Sequence, residues 1–264
     1  MNAALNPLIA PPPREVPLTD APLVRVIAQV RFPEILAVEQ REFVTPFQEV
    51  LRPQYPVLRQ EQMQGLLLGP AGVASGKAQL AWRFNDIEGH WRVSLTAEFL
   101  AIETTKYTSR AEFIERLRNV LEALDEHVKP KLIDRIGLRY IDRVTGEAVN
   151  DVANLVRPEV SGILGAPIAA YAAHSLSESL FELSDARVLV RWGRLSAGAT
   201  VDPAALEPVL EPSWILDLDM FSTRPIPFTV DSIVSETQRF AERIYAVFRW
   251  AVTDDFLRLY GGNP

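Results

Sequence analysis

Asp217 and Asp219 stand two residues apart in the run WILDLDMF. Strand alternation puts both carboxylates on one face, where they could hold a divalent cation if Glu98 or Glu103 converged from another strand. Solvated carboxylates, or partners for nearby arginines, are the competing assignment. His90, His127 and His174 have no ligand spacing to one another, and the chain has no cysteine. Zinc sites, disulfides, iron–sulfur clusters and a thiol nucleophile are therefore not expected. The stretch GPAGVASGK, residues 69–77, has glycines and a lysine but not phosphate-loop spacing: Ala71 stands where the first glycine should be, and Ala78 replaces the magnesium-binding hydroxyl. It reads as a flexible hairpin loop. No GxSxG elbow occurs. With no catalytic constellation, the sequence leans away from an enzyme and calls for no cofactor and no metal.

The arginines say more. Lysine and arginine total 27, of which only four are lysines. Arg25 and Arg31, then Arg135, Arg139 and Arg143, then Arg187 and Arg191, each share a parity within a strand-like run. Each set therefore points to one side, opposite the apolar residues that must meet helices. Arginine suits bidentate recognition of carboxylate and phosphate, so this face is the candidate surface for a protein, an anionic ligand or nucleic acid. The alternative is that Glu98, Glu182, Asp217 and Asp219 pair with these arginines across strands and simply solubilise the face.

These residues need a sheet to position them. Leu23 to Phe32 alternates as a strand; Thr45, Pro46 and Gln48 carry the signals of a helix start, with the helix ending near Arg52. Strands are expected over 60–68, 78–84 and 90–104, the last two joined by the turn NDIEG, followed by a helix capped at Ser109 and ending before Pro130. The order then repeats: strand 131–144, broken helix 149–164, strands 170–183, 187–195 and 214–221, and one long helix over 229–259. VRF at 30–32 matches LRY at 138–140, and WRVSL at 91–95 matches WILDL at 214–218, which makes Trp91 and Trp214 equivalent. The fold class expected is α+β, duplicated β-α-β-β-β-α units forming an antiparallel sheet with helices packed on one face, a helix-grip or saddle-like arrangement. Its divisions are a Pro-rich extended tail at 1–22, a first half at 23–130 and a second at 131–264. With six prolines the tail should be separable from the folded body.

Composition bounds the rest. The 264 residues are 48% hydrophobic and 23% charged, with a net charge of −7, which speaks against a protein built to coat nucleic acid or an anionic membrane. No apolar run approaches membrane-spanning length and no secretory leader is visible, so the expected compartment is the cytoplasm.

Taken together, APLVRVIAQVRFP at 21–33, HWRVSLTAEFLAIETTKY at 90–107, RIGLRYIDR at 135–143, and LDLDMF with FAERIYAVFRWAVTDDF in the C-terminal region resemble a sporadically distributed bacterial protein family without an assigned activity. The most specific pieces are FLAIETTKY and RIGLRYIDR. The resemblance spans nearly the whole chain and implies an accessory role, of the kind found in defence or toxin–antitoxin systems, but transfers no catalytic residue. Glu103, Thr104, Thr105, Tyr107, Arg135, Arg139, Tyr140 and Arg143 recur in its motifs and serve architecture as readily as binding.

The reading that follows is a non-catalytic binding or adaptor protein, using the Arg-rich open sheet face or a groove between its halves, with another protein as partner. A nucleic-acid-binding module and a small-molecule-binding protein or enzyme are the alternatives. No membrane partner is expected.

Overall fold

The computed structural model describes residues 6–69 and 72–264, with side chains for all of these except 63–69 and 72–78. The elements in chain order are β1 (Leu23–Arg31), α1 (Arg41–Leu51), β2 (Val57–Gly69), β3 (Gly72–Asn85), β4 (Trp91–Leu95), β5 (Phe99–Thr104), α2 (Arg110–His127), β6 (Leu132–Ile133), β7 (Arg135–Val144), α3 (Val152–Leu155), α4 (Pro158–Ser161), β8 (Ser175–Glu182), β9 (Ala186–Leu195), β10 (Ser213–Ser222), β11 (Ile226–Pro227), α5 (Val230–Ala251) and α6 (Asp254–Leu259). The class is α+β. Nine strands form one open antiparallel sheet in the order β2-β3-β4-β5-β1-β7-β10-β9-β8, and β6 pairs with β11 apart from it.

A related connectivity occurs twice, the first time with an additional edge strand, β2, that has no counterpart among the described residues of the second. β3, β4 and β5 lead back to a place beside β1 and into α2; β8, β9 and β10 lead back to a place beside β7 and into α5. In this scheme β5 corresponds to β10, so Trp91 on β4 and Trp214 on β10 do not occupy equivalent strands. The WRVSL–WILDL match therefore marks no equivalence: both segments are tryptophan-led core strands, alike because Trp91, Val93 and Leu95 in one and Trp214, Leu216 and Leu218 in the other are buried.

By packing, the chain forms two compact units. The first comprises Ile27–Gly137 with Ser222–Thr237; the second comprises the residues up to Val26, Leu138–Phe221 and Gln238–Pro264. In the first, the α2 stripe Phe113, Leu117, Val120, Leu121 and Leu124 is fully buried, Trp91 stacks 5.7 Å from Phe113, and Phe47 meets Phe84 edge-on at 5.6 Å. In the second, Trp214, Leu216, Leu218 and Met220 of β10 and Phe240, Ile244 and Val247 of α5 are buried.

Several local expectations change, each for a chemical reason. α1 begins at Arg41, a turn before Thr45, and Pro46 lies inside it; Thr45 bonds the Arg41 carbonyl with its own hydroxyl (2.8 Å) instead of capping. The strand expected over 90–104 is split at Thr96, whose hydroxyl accepts the N–H groups of Glu98 and Phe99 and so bends the chain. Asp134, whose N–H donates to the Arg31 carbonyl at 2.8 Å, separates β6 from β7. The expected loop at 69–77 is mostly strand: β2 reaches Gly69 and β3 starts at Gly72, while residues 70–71 lie outside the described residues. The strand expected from 170 begins at Ser175, because Pro167 opens a 3₁₀ turn through Tyr171. The long C-terminal helix is two helices, since Thr253 caps α6 by accepting from the Phe256 N–H (3.3 Å) and turns its own hydroxyl to the Leu155 carbonyl (3.0 Å). Ser109 caps α2 through the Glu112 N–H at 3.1 Å, as its spacing predicts. The tail is docked and only partly extended: the Asn6 carbonyl accepts the Ile9 and Ala10 N–H groups (3.2 and 2.9 Å) in a turn at 7–10, residues 11–18 form no helix or strand, and the chain is hydrogen-bonded to Arg243, Tyr245 and Tyr260.

Candidate functional site

Four strands of the second unit lie side by side as β7-β10-β9-β8, and a chain of ion pairs crosses all of them. Arg139 on β7 donates Nε and Nη2 to the two carboxylate oxygens of Asp217 on β10, both at 2.7 Å. Asp217 also lies 3.6 Å from Nη1 of Arg191 on β9, and Arg191 Nε donates to Glu178 on β8 at 2.6 Å. At the inner end Arg139 Nη1 reaches Asp202 at 2.7 Å. The side chains grow more exposed toward β8, from 1% at Asp217 and 13% at Arg139 to 25% at Arg191 and 55% at Glu178. Arg187 and Glu182 repeat the cross-strand pair one step along the hairpin at 2.7 Å.

Sequence alternation makes this ladder: odd-numbered residues of β7, β9 and β10 share the face opposite the apolar stripe. On β8 the even residues join them, because the register sets Glu178 opposite Arg191 and Glu182 opposite Arg187. Burial opposes the Arg139 charge, yet the hydrogen bonds and fields of Asp217 and then Asp202 outweigh it, so the guanidinium is held above its ordinary pKa. Asp202 is likewise partly buried, but Arg139 and the N–H groups of Ala204 and Ala205 hold its carboxyl below the usual range.

The face is partly roofed. Between β9 and β10 the segment 196–212 folds over it: Ala205 and Leu206 are buried, Asp202 takes Arg139, and the Glu207 carbonyl accepts from Arg143 Nη2 at 2.6 Å. Burial lowers the Arg143 pKa, and its Nε is buried with no partner. Arg187, beyond the ladder, is 44% exposed. Arg31 pairs with Glu98 at 3.2 Å, and Arg135 rests its guanidinium over Gly137 while reaching Gln29 at 3.5 Å. Arg25 is half-buried on β1. The structure thus gathers Arg139 and Arg191 on one carboxylate, sets Arg187 beside them, and gives Arg31 and Arg143 separate acceptors. Counted along the ladder, the guanidiniums are matched by carboxylates, so this face presents alternating charge.

The edge strand β8 adds what the arginine pattern alone does not contain. Among the described residues its only sheet neighbour is β9. Leu176 (42%), Leu180 (51%) and Phe181 (38%) are exposed on it, and Ile163, Ile168 and Tyr171 are exposed in the segment leading to it. Leu176 and Leu180 alternate with the ion-paired Glu178 and Glu182, which gives one face a sequence of apolar and neutralised positions. The sequence pattern pointed to Glu182 as a cross-strand partner but not to Glu178, and gave no role to these hydrophobic residues; the signal was an apolar set on the polar side of a strand.

A second candidate lies in the first unit, a cavity of about 400 Å³ walled by Pro53, His90, Trp91, Lys106, Glu112 and Arg116 among others. The Arg116 guanidinium sits 4.4 Å from the Trp91 ring centroid and bonds Glu112 at 3.0 Å, and His90 faces Glu88 at 3.5 Å. Its charges are thus largely engaged with one another. FLAIETTKY borders this cavity: Thr104 accepts the Lys106 N–H at 3.0 Å, Tyr107 packs 6.2 Å from Phe113, and Glu103 pairs with Arg92. The cation site considered for Asp217 and Asp219 does not form: among the described residues no group of three or more His, Cys, Asp or Glu side chains could hold a metal ion. Also among the described residues, no helix is long and apolar enough to cross a membrane.

No family model matches this chain, and no curated protein matches it.

Proposed function

We propose that this protein is a non-catalytic binding or adaptor protein whose partner is another protein, engaged along the β8 edge and the ion-paired face beside it. On the motifs quoted above we also place it with the sporadically distributed bacterial proteins they resemble, in an accessory role. The observation that carries the reading is the exposure of Leu176, Leu180 and Phe181 on an edge strand whose acidic residues are already neutralised by Arg187 and Arg191. An edge offers main-chain donors and acceptors to an incoming extended segment, and natural edges that pair with nothing are usually guarded by charge or proline. Here the guarding charges are spent in cross-strand pairs, and the apolar side chains between them supply contact area. The alternating charge of the face favours a protein over nucleic acid, which rewards a net excess of cation.

The test is capture from the native host with nuclease treatment, comparing the wild-type chain with a Leu176→Glu/Leu180→Glu variant. Exposed positions tolerate these changes, so the variant should keep its melting temperature within a few degrees. A partner retained by the wild type, lost by the variant, and protecting the 175–182 amides from hydrogen exchange supports the reading. Equal capture by both chains, or retention of nuclease-sensitive material alone, overturns it.

A further inference from the structure

The tail's backbone groups make hydrogen bonds to α5 and to the residue after α6, and side chains of Val16 and Leu18 pack beside them. Arg243 on α5 donates Nη1 to the carbonyls of Pro7 (2.6 Å) and Ala10 (2.7 Å). The Tyr245 hydroxyl accepts the Val16 N–H at 2.7 Å and donates to the Arg14 carbonyl at 3.3 Å, and the Asp20 N–H reaches the Tyr260 carbonyl at 3.2 Å. Val16 and Leu18 pack so closely on Gly262 that a Cβ there would come within 3.0 and 2.6 Å of them, and one on Gly261 would strike Thr19 at 1.9 Å. Between these anchors Pro11, Pro12 and Pro13 are exposed.

This is the chemistry by which proline-rich segments are recognised. A polyproline-type extended chain makes no internal hydrogen bonds, so its carbonyls are available to side-chain donors, and its conformation costs little entropy to fix; residues 11–18, which form no helix, strand or turn, are of this kind, whereas the Arg243 acceptors Pro7 and Ala10 lie in a turn in which the Asn6 carbonyl accepts the Ile9 and Ala10 N–H groups (3.2 and 2.9 Å). The receiving surface carries an arginine and a tyrosine hydroxyl as donors, and aromatic neighbours in the pairs Tyr245–Phe248 and Phe256–Tyr260. Arg243 spends its hydrogen bonds on main-chain oxygens, although its burial and the neighbouring Arg239 both disfavour its charge. A guanidinium so placed is suited to a backbone ligand.

We propose that the surface formed by the second half of α5, α6 and the glycines after it is a binding site for a proline-rich extended segment of a partner protein, occupied by this chain's own residues 6–20 when that partner is absent. The recognition is of main chain, first in the turn at 7–10 and then along the proline-rich run after it, which an outside segment of the same chemistry reproduces. The resident tail competes at the high local concentration of a tethered ligand, roughly millimolar, and so sets a threshold for the incoming one. The surface is separate from the β8 edge, and the two readings stand or fall independently.

The test uses a labelled peptide of residues 6–20. A chain lacking residues 1–20 should bind it saturably, at least tenfold more tightly than the full chain does. An Arg243→Ala/Tyr245→Phe change in the truncated chain should weaken binding at least tenfold, as should replacing the peptide's prolines by alanine. Absence of binding to a truncated chain with native circular dichroism, or indifference to either change, overturns the proposal. Should the truncated chain fail to fold, the full chain answers: excess peptide should speed tryptic cleavage after Arg14 several-fold by displacing the tail, and an unchanged rate overturns the proposal. Concentration-dependent dimers cross-linked tail to body would assign the site to a second copy and overturn it as well.

Discussion

The Arg139 guanidinium, bonded to Asp217 through two parallel hydrogen bonds and to Asp202 through a third, is the residue on which the ladder turns. A buried pair broken on one side leaves an uncompensated charge, so Arg139→Glu, which also adds a third carboxylate, should cost at least about 3–5 kcal/mol. Arg187→Glu, at the exposed end of the hairpin, should cost about 1 kcal/mol or less. Urea titration of both variants checks the contrast, and equal losses would mean that the ladder is not graded by burial. Across the sheet from Arg139, Asp142 is buried among apolar residues, where burial first and the charge of Asp217 second push its pKa to about 7. Between the ordinary carboxylate value of about 4 and that value, the unfolded chain releases this proton and the folded chain keeps it. The contribution of Asp142 is therefore full below about pH 4 and is lost as pH rises through 7. Asp142→Asn removes the titration, and the variant should gain stability over wild type at pH 8 but not at pH 4; a pH-independent difference in melting temperature would refute this. The arginine parity was legible because side chains alternate along a strand. Asp202 was not, because a loop acid 63 residues from Arg139 has no periodicity to announce it.

At the scale of elements, the two strands of the β8–β9 hairpin were legible, and the structure supplies their register. A turn centred on Ser184 and Asp185 places Glu182 opposite Arg187 and Glu178 opposite Arg191. What the pattern concealed was the other end, where Gly193 has a φ of +146° and lies opposite Leu176. A Cβ at Gly193 would come within 1.9 Å of the Ser175 carbonyl oxygen and 2.9 Å of the Leu176 Cα, both of them backbone that cannot swing aside. Gly193→Ala should then cost about 1–3 kcal/mol in backbone strain and loosen the edge strand first. Hydrogen exchange should quicken at residues 175–177 while the α2 amides keep their protection, and a uniform change along the chain would count against this local account. The breaks at Thr96 and Thr253 were missed for one reason: a threonine hydroxyl bonding nearby backbone ends an element without disturbing its hydrophobic period. The same limit applied to the tail, where proline content correctly excluded helix and sheet but says nothing about an arginine and a tyrosine more than 200 residues away.

For the whole molecule, chain order and packing divide the protein differently, and the difference can be tested. The repeated strand connectivity follows chain order, and it was legible because each strand and helix carried its own period. The compact units do not: the one built on Ile27–Gly137 also takes in Ser222–Thr237, the end of β10, all of β11 and the first two turns of α5. Those residues matter to it. Ile226 and Pro227 pair with Ile133 and Leu132, the Ser222 hydroxyl accepts the Ile136 N–H at 2.9 Å, Asp231 takes Arg118 at 2.7 Å, and Ile233 is fully buried. A fragment of residues 23–130 has every element of the first repeat but lacks this C-terminal contribution, along with β6 and the start of β7. Against a folding margin of about 5–15 kcal/mol for a whole protein, losing these contacts and leaving the apolar groups beneath them in water is decisive. The fragment should therefore show no cooperative thermal transition and should bind hydrophobic dye. Supplying residues 131–137 and 222–237 through a redesigned connection should restore a sharp transition, whereas cooperative unfolding of 23–130 alone would show that the repeat, and not the packed unit, is the folding unit.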